Sequence, residues 1–210
     1  MILDIHTHHQ NREKAIINAS FCDFKPMQGL YYSLGLHPWD IDKKEPEAAI
    51  KAIETFASNS EQVLAIGECG VDSMISIPIK TQIEIFKRHI ELSENLKKPL
   101  IIHCVRCSSE IIRLHKIYSP QQAWVIHGFR SNSNVLSNYL SETGIYISIG
   151  DKFNEEAVKI IPNDRLMLET DESTLSIEEI AERVAKVRSQ SIQDVLNHIA
   201  QNNKTALFLE

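Results

Sequence analysis

Apolar positions along the chain gather into eight short runs. They are ILDIHT from residue 2, AIINAS from 15, YYSLGLH from 31, VLAIGEC from 63, PLIIHCV from 99, AWVIHGF from 123, GIYISIG from 144 and RLMLETD from 165. Most are continuous rather than alternating, the pattern of strands buried on both faces. From the third run onward, stretches of helical period fall between them. Residues 45 to 58 open with Pro46 in the first turn, and residues 79 to 97 turn Ile83, Phe86, Ile90 and Leu92 inward. Shorter helices are predicted over 107 to 117, 132 to 142 and 153 to 160. Two more follow, over 176 to 188 and 191 to 201. Ser176 with Glu179 and Ser191 with Asp194 are their N-cap signals. Strand–helix alternation around eight buried strands predicts a compact α/β fold, a (β/α)8 TIM-type barrel. One domain over residues 1–210 is expected. The first three strands lie so close that helices between them are reduced or missing. A doubly wound open sheet fits less well, because no glycine-rich phosphate loop follows the first strand.

In such a barrel, function sits where strands hand over to loops at the C-terminal face. The chain loads those positions with ionisable groups: His6 and His8 on the first strand, His37 on the third, Glu68 on the fourth, His103 on the fifth, His127 on the sixth, and Glu169 and Asp171 on the eighth. In the first strand, residues two apart share a face, so Asp4, His6 and His8 are expected on one side. Burying so many ionisable groups together without a partner is costly, and a central cation removes that cost. Imidazole and carboxylate are ligands of zinc, manganese and similar divalent ions. Even four of these histidines and two of the carboxylates exceed what one tetrahedral ion uses. Two ions sharing one carboxylate fit better. Arg106, Arg130 and Lys152 follow the fifth, sixth and seventh strand ends, where they could meet an anionic substrate.

Composition narrows the setting. The 210 residues suit one domain, with 43% hydrophobic and 24% charged residues. A net charge of −6 argues against a uniformly basic nucleic-acid-coating surface, but leaves room for a local cationic pocket. No apolar run reaches membrane-spanning length and no secretory pattern opens the sequence, so no membrane association is expected. Four cysteines make no disulfide framework, and a reducing cytosol is the simplest setting. Cys104 and Cys107 form a lone C-x-x-C without a second pair. Cys104 directly follows His103 and should point away from the barrel centre, so packing is its expected role.

The ordered set DIHTH, GLHP, AIGECGVD, PLIIHC, VIHGF and LETD resembles the TatD family of metal-dependent hydrolases within the amidohydrolase-like barrels. The resemblance runs from residue 2 to about residue 171, with a weaker echo in NNKTALF near the C-terminus. It implies that His6 and His8 hold one metal and that Glu68 bridges two. It implies that His103 and His127 serve the second metal. Asp171 then ligates the first and orients or deprotonates the attacking water. It also implies two divalent ions (zinc, manganese or magnesium), a cytoplasmic phosphodiesterase, and DNA as the common substrate. His37 is expected to contact substrate or support a ligand, and Glu169 to hold a neighbouring ligand by a hydrogen bond.

Three segments depart from the family pattern. The span between His8 and GLHP is short, ESTLSIEEIAERVA moves almost directly into helix after Asp171, and HCVRCSSE lacks the family's Arg-Asp after the histidine. All three shape the substrate pocket and none touches an expected ligand. Two rival readings remain open from the sequence. One is hydrolysis of an amide or ester at the same dinuclear site. The other is a non-catalytic metal-binding protein. Arg106, Arg130 and Lys152 pointing away from the metals would weaken the phosphate reading.

Overall fold

Each apolar run becomes a strand. In the structure, a computed structural model that describes residues 1–208, these are β1 (Asp4–Thr7), β2 (Ala15–Ala19), β3 (Tyr31–Leu34), β4 (Val63–Asp72), β5 (Leu100–Val105), β6 (Trp124–Ile126), β7 (Ile145–Ile149) and β8 (Leu166–Leu168). All neighbours pair in parallel, in sequence order, and β8 closes onto β1. The helices are α1 (Pro46–Asn59), α2 (Ile79–Leu96), α3 (Ser108–Tyr118), α4 (Ser133–Leu140), α5 (Glu155–Ile160), α6 (Ile177–Arg188) and α7 (Ile192–Ala206). No α-helix separates β1, β2 and β3 among the described residues, as the tight spacing requires. A single 3-10 turn, Pro38–Asp40, follows β3. None of the described helices is long and apolar enough to cross a membrane.

Local chemistry sets the helix ends. Ser176 and Glu179 form a reciprocal capping box at α6, and Ser191 accepts from the Asp194 N–H at α7. Asn132 and Asn154 cap α4 and α5 with their side-chain oxygens, two caps that the apolar period does not announce.

The core has two layers. Ile17, Leu34, Ile66, Leu100, Ile102, Trp124, Leu166 and Leu168 pack outward against helix residues such as Phe86, Ile90, Leu114 and Val184. Ile5, Ile16, Ala65, Ile101, Val125 and Met167 pack against one another inside the barrel, with Leu207 of the C-terminal turn beneath them. Continuing inward positions by steps of two from Ile101, Val125 and Met167 reaches His103, His127, and Glu169 and Asp171. The same step from Ile5 or Ala65 misses His6 and Glu68. The chain restores the phase with register shifts inside β1 (between Asp4 and Thr7) and inside β4 (between Ile66 and Cys69). Those irregularities turn both side chains toward the barrel mouth.

Candidate metal centre

Barrel closure positions the first group. The His8 N–H donates to the Asp171 carbonyl and the Asp171 N–H donates to the His6 carbonyl, each at 3.0 Å. This brings the H-x-H pair and Asp171 together from opposite ends of the chain. His6 Nε2 and His8 Nε2 both lie 3.4 Å from Glu68 Oε2, and 3.9 and 3.6 Å from Asp171 Oδ1. Asp4 does not join them. Its buried carboxylate accepts from the Thr170 N–H and hydroxyl at 3.0 and 2.6 Å, bracing the same β1–β8 seam. Burial pushes the Asp4 pKa up to about 6, against the lowering pull of Thr170 and Arg12.

The second group faces the other carboxylate oxygen. His127 Nε2, His103 Nδ1 and His37 Nε2 lie 2.7, 2.9 and 3.1 Å from Glu68 Oε1. The far nitrogens of two of these rings also face carboxylates. His103 Nε2 meets Asp72 Oδ2 at 3.3 Å, and His127 Nδ1 meets Glu169 Oε1 at 3.4 Å. A carboxylate only accepts, so each of these two rings lies between two acceptors, with its nearer contact to Glu68. Neither ring meets a hydrogen-bond donor on that far side. His37 is the reverse. Its Nδ1 accepts from the Trp39 N–H at 3.1 Å, so its Nε2–H donates to Glu68. His37 is therefore a hydrogen-bond donor that steadies the carboxylate, although it lies close enough to Glu68 and His103 to complete a three-residue cluster.

This donor set fits divalent cations. Imidazole nitrogens on both sides of one carboxylate are donors that divalent ions accept once the rings are deprotonated. His6 is fully buried, and neither of its ring nitrogens has a hydrogen-bond partner among the described residues. Imidazoles backed by carboxylates on their far nitrogens are the usual support of metal ligands. The electrostatics agree. Burial raises the Glu68 pKa, but His127, His103 and His37 outweigh it and hold the carboxylate well below its ordinary value. Burial lowers the His127 pKa, but Glu68 and Glu169 overcome it and hold the ring well above the ordinary imidazole value. The cluster attracts positive charge. His6, His8, Glu68 and Asp171 could hold one ion, and Glu68, His103 and His127 a second.

The pocket of about 370 Å³ above Glu68 is lined by His8, His37, His103, His127 and Asp171, together with Asn18, Trp39, Lys43 and Glu172. Arg106 and Arg130 line an adjoining cavity of about 240 Å³ that shares the His127 wall. Lys152 lies elsewhere. It lines a groove of about 680 Å³ with Phe153, Lys159, Arg183 and Lys186 of the α5–α6 flank.

Several supporting residues escaped the sequence reading. Asn18 donates to Glu68 Oε2 at 3.4 Å and accepts from the Glu68 N–H at 3.2 Å. Asp72 lies in the same AIGECGVD segment as Glu68, but the expected strand stopped at Cys69 whereas β4 runs on to Asp72. Glu169, which the sequence did point to as a support for a neighbouring ligand, accepts from the Gly128 N–H at 2.6 Å beside its contact with His127. None of the four cysteines is disulfide-bonded among the described residues. Burial raises the Cys104 and Cys107 thiol pKa values, which suits packing rather than redox chemistry.

Known proteins resemble this chain in sequence and in fold. The family described as TatD related DNase matches residues 7–208. A protein of Buchnera aphidicola subsp. Baizongia pistaciae, named as an uncharacterized metal-dependent hydrolase, is 32% identical over 185 residues, 84% of this chain and 68% of its own. The 3'-5' ssDNA/RNA exonuclease TatD of Erwinia tasmaniensis is 31% identical over 179 residues, 80% of this chain and 66% of its own. The crystal structure of YJJV, a TatD homologue of Escherichia coli K12, shares the fold with a TM-score of 0.85 at 18% identity, covering 98% of this chain and 97% of that one. With a family match over nearly its whole length, the chain belongs to the TatD family of metal-dependent hydrolases.

Proposed function

We propose that residues 1–210 act as one barrel unit that hydrolyses phosphodiester bonds, with DNA as substrate, by way of two divalent ions. The observation that carries this reading is the division of Glu68: Oε2 faces His6 and His8 while Oε1 faces His103 and His127. A carboxylate so divided suits a bridge between two cations. Bound there, zinc, manganese or magnesium supplies Lewis acidity, lowering the pKa of water and neutralising charge on a phosphoryl oxygen.

The chain's own residues do the rest. His6, His8 and Asp171 hold one ion, His103 and His127 the other, and Glu68 both. Asp171 is partly open to solvent beside His8 and can orient an attacking water and take its proton at Oδ1. His37 donates Nε2–H to Glu68 and keeps its two oxygens apart in role. Asp72 and Glu169 fix the rings of His103 and His127. Arg106 and Arg130, in the cavity beside His127, are placed to fork the oxygens of a neighbouring phosphate. Lys152 lines the separate groove of the α5–α6 flank, so the phosphate reading rests on the two arginines. The relative named as an exonuclease on ssDNA and RNA supports the same substrate class.

The test is hydrolysis of a labelled single-stranded DNA oligonucleotide by protein stripped of metal and then given magnesium, manganese or zinc. Cleavage that needs the ion and falls at least ~100-fold in Asp171→Asn is expected. Asparagine tolerates the left-handed backbone that Asp171 adopts at φ 52°, so the variant should keep the fold. Protein that holds metal yet cleaves nothing with any ion would exclude DNA and direct the search to amides and small esters.

A further inference from the structure

Trp39 is the largest apolar surface beside the metal centre, and 53% of it is exposed. A lone exposed aromatic is ordinary. This one is fixed at both ends. Its backbone N–H donates to His37 Nδ1 at 3.1 Å within the 3-10 turn, which starts at the buried Pro38. Its indole Nε1–H donates to Asp72 Oδ2 at 2.8 Å, and Asp72 also meets His103. The ring stands edge-on to His37, centroids 5.0 Å apart at 88°. The polar edge is thus turned inward, and the exposed surface at the pocket is ring carbon. Lys43 lines the same pocket, and Lys44 lines the trough that continues past His8 and Glu68 toward Ser20 and Cys22.

We infer that Trp39 is a stacking platform for an unpaired nucleobase next to the scissile phosphate. This rests on the phosphodiester reading above and narrows it. A rigid aromatic surface accepts any base, because every base offers a π-face, so the expected preference is for bases over no bases rather than for one sequence. A duplex keeps its base faces covered and gains nothing from this residue.

The probes are oligothymidylate and an all-abasic oligonucleotide of equal length and charge, used with the metal-loaded full chain. The other tryptophan, Trp124, is fully buried, so a contact change in emission reports Trp39. Oligothymidylate should quench the emission and the abasic strand should not, and Trp39→Phe should abolish the quench. Trp39→Ala should raise KM for oligothymidylate about tenfold more than KM for the abasic strand, and Trp39→Phe should largely restore it. Equal kcat losses on both substrates, with Trp39→Phe as poor as Trp39→Ala, would overturn the inference, because that is the signature of a residue that only steadies His103 through Asp72. Equal quenching by both strands would overturn it too. If neither strand is cleaved by the wild-type chain, the phosphodiester reading fails, while base-dependent quenching would still uphold stacking and its absence would refute it.

Discussion

Glu68 touches more of this site than any other side chain. It is almost wholly buried, yet it stays a carboxylate because histidines of β5, of the β6 end and of the β3 end surround one of its oxygens. Replacing it by glutamine keeps the shape and removes the charge that both metal groups share. Glu68→Gln should therefore bind divalent ions at least ~10-fold more weakly at both positions, as read by metal content after dialysis. Full occupancy in that variant would show that the two ions, if bound, do not share this residue. The identities of the clustered residues were legible in the sequence because strand ends carry them. Their directions were not. Strict alternation from Ile5 and Ala65 sends His6 and Glu68 out of the barrel, and only the register shifts in β1 and β4 bring them in. It also groups Asp4 with His6, whereas Asp4 binds Thr170. A register shift leaves no mark in residue composition.

At the scale of elements, the β4–β5 ladder carries the greatest constraint. Gly70 pairs with His103 and has φ +146°, and a Cβ there would lie 2.0 Å from the His103 carbonyl oxygen. No side-chain rotation relieves a clash between a Cβ and backbone. Gly70→Ala should thus destabilise the fold by on the order of 3 kcal/mol, through forced separation of two central strands and strain at positive φ. Urea unfolding of the metal-free protein measures this, and a change within ~0.5 kcal/mol would mean that the ladder yields easily. The eight strands and the long helices were readable because continuous apolar runs and a 3.6 period seldom mislead over such lengths. The extension of β4 to Asp72 was not, since Gly67 and Gly70 interrupt the apolar run and look like a strand ending. The 3-10 turn carrying Trp39 was equally hidden, because three residues hold no period.

The whole molecule depends on pH through a buried group outside the metal cluster. His89 of α2 is completely buried. Its Nε2 accepts from the Leu36 N–H at 3.0 Å, so Nδ1 bears the proton and donates to the Ile85 carbonyl at 2.9 Å. The ring ties α2 to the segment that leads from β3 into His37. Burial pushes its pKa down to about 4, only partly offset by the Ile85 carbonyl. The unfolded chain protonates this histidine near its ordinary value of 6.5, and the native chain does not. Above about pH 6.5 both states are neutral and the stability from this group is fully present. Between pH 6.5 and about 4 the unfolded state binds the extra proton, so stability falls as pH falls, by up to about 3 kcal/mol. Histidines held above the ordinary value by Glu68, such as His8 and His127, add stability that is fully present below about pH 6.5 and is lost as pH rises above it, on the alkaline side of the His89 window. The comparison that isolates His89 is therefore wild type against His89→Gln, in EDTA so that metal loss does not contribute. Glutamine can accept from Leu36 but does not titrate. Urea unfolding at pH 7.5, 6 and 5 should show the variant losing less stability on acidification than the wild type, with the gap widening toward pH 5. Parallel curves for the two proteins would mean that His89 is protonated in the fold, and that the α2–β3 tie survives its charge.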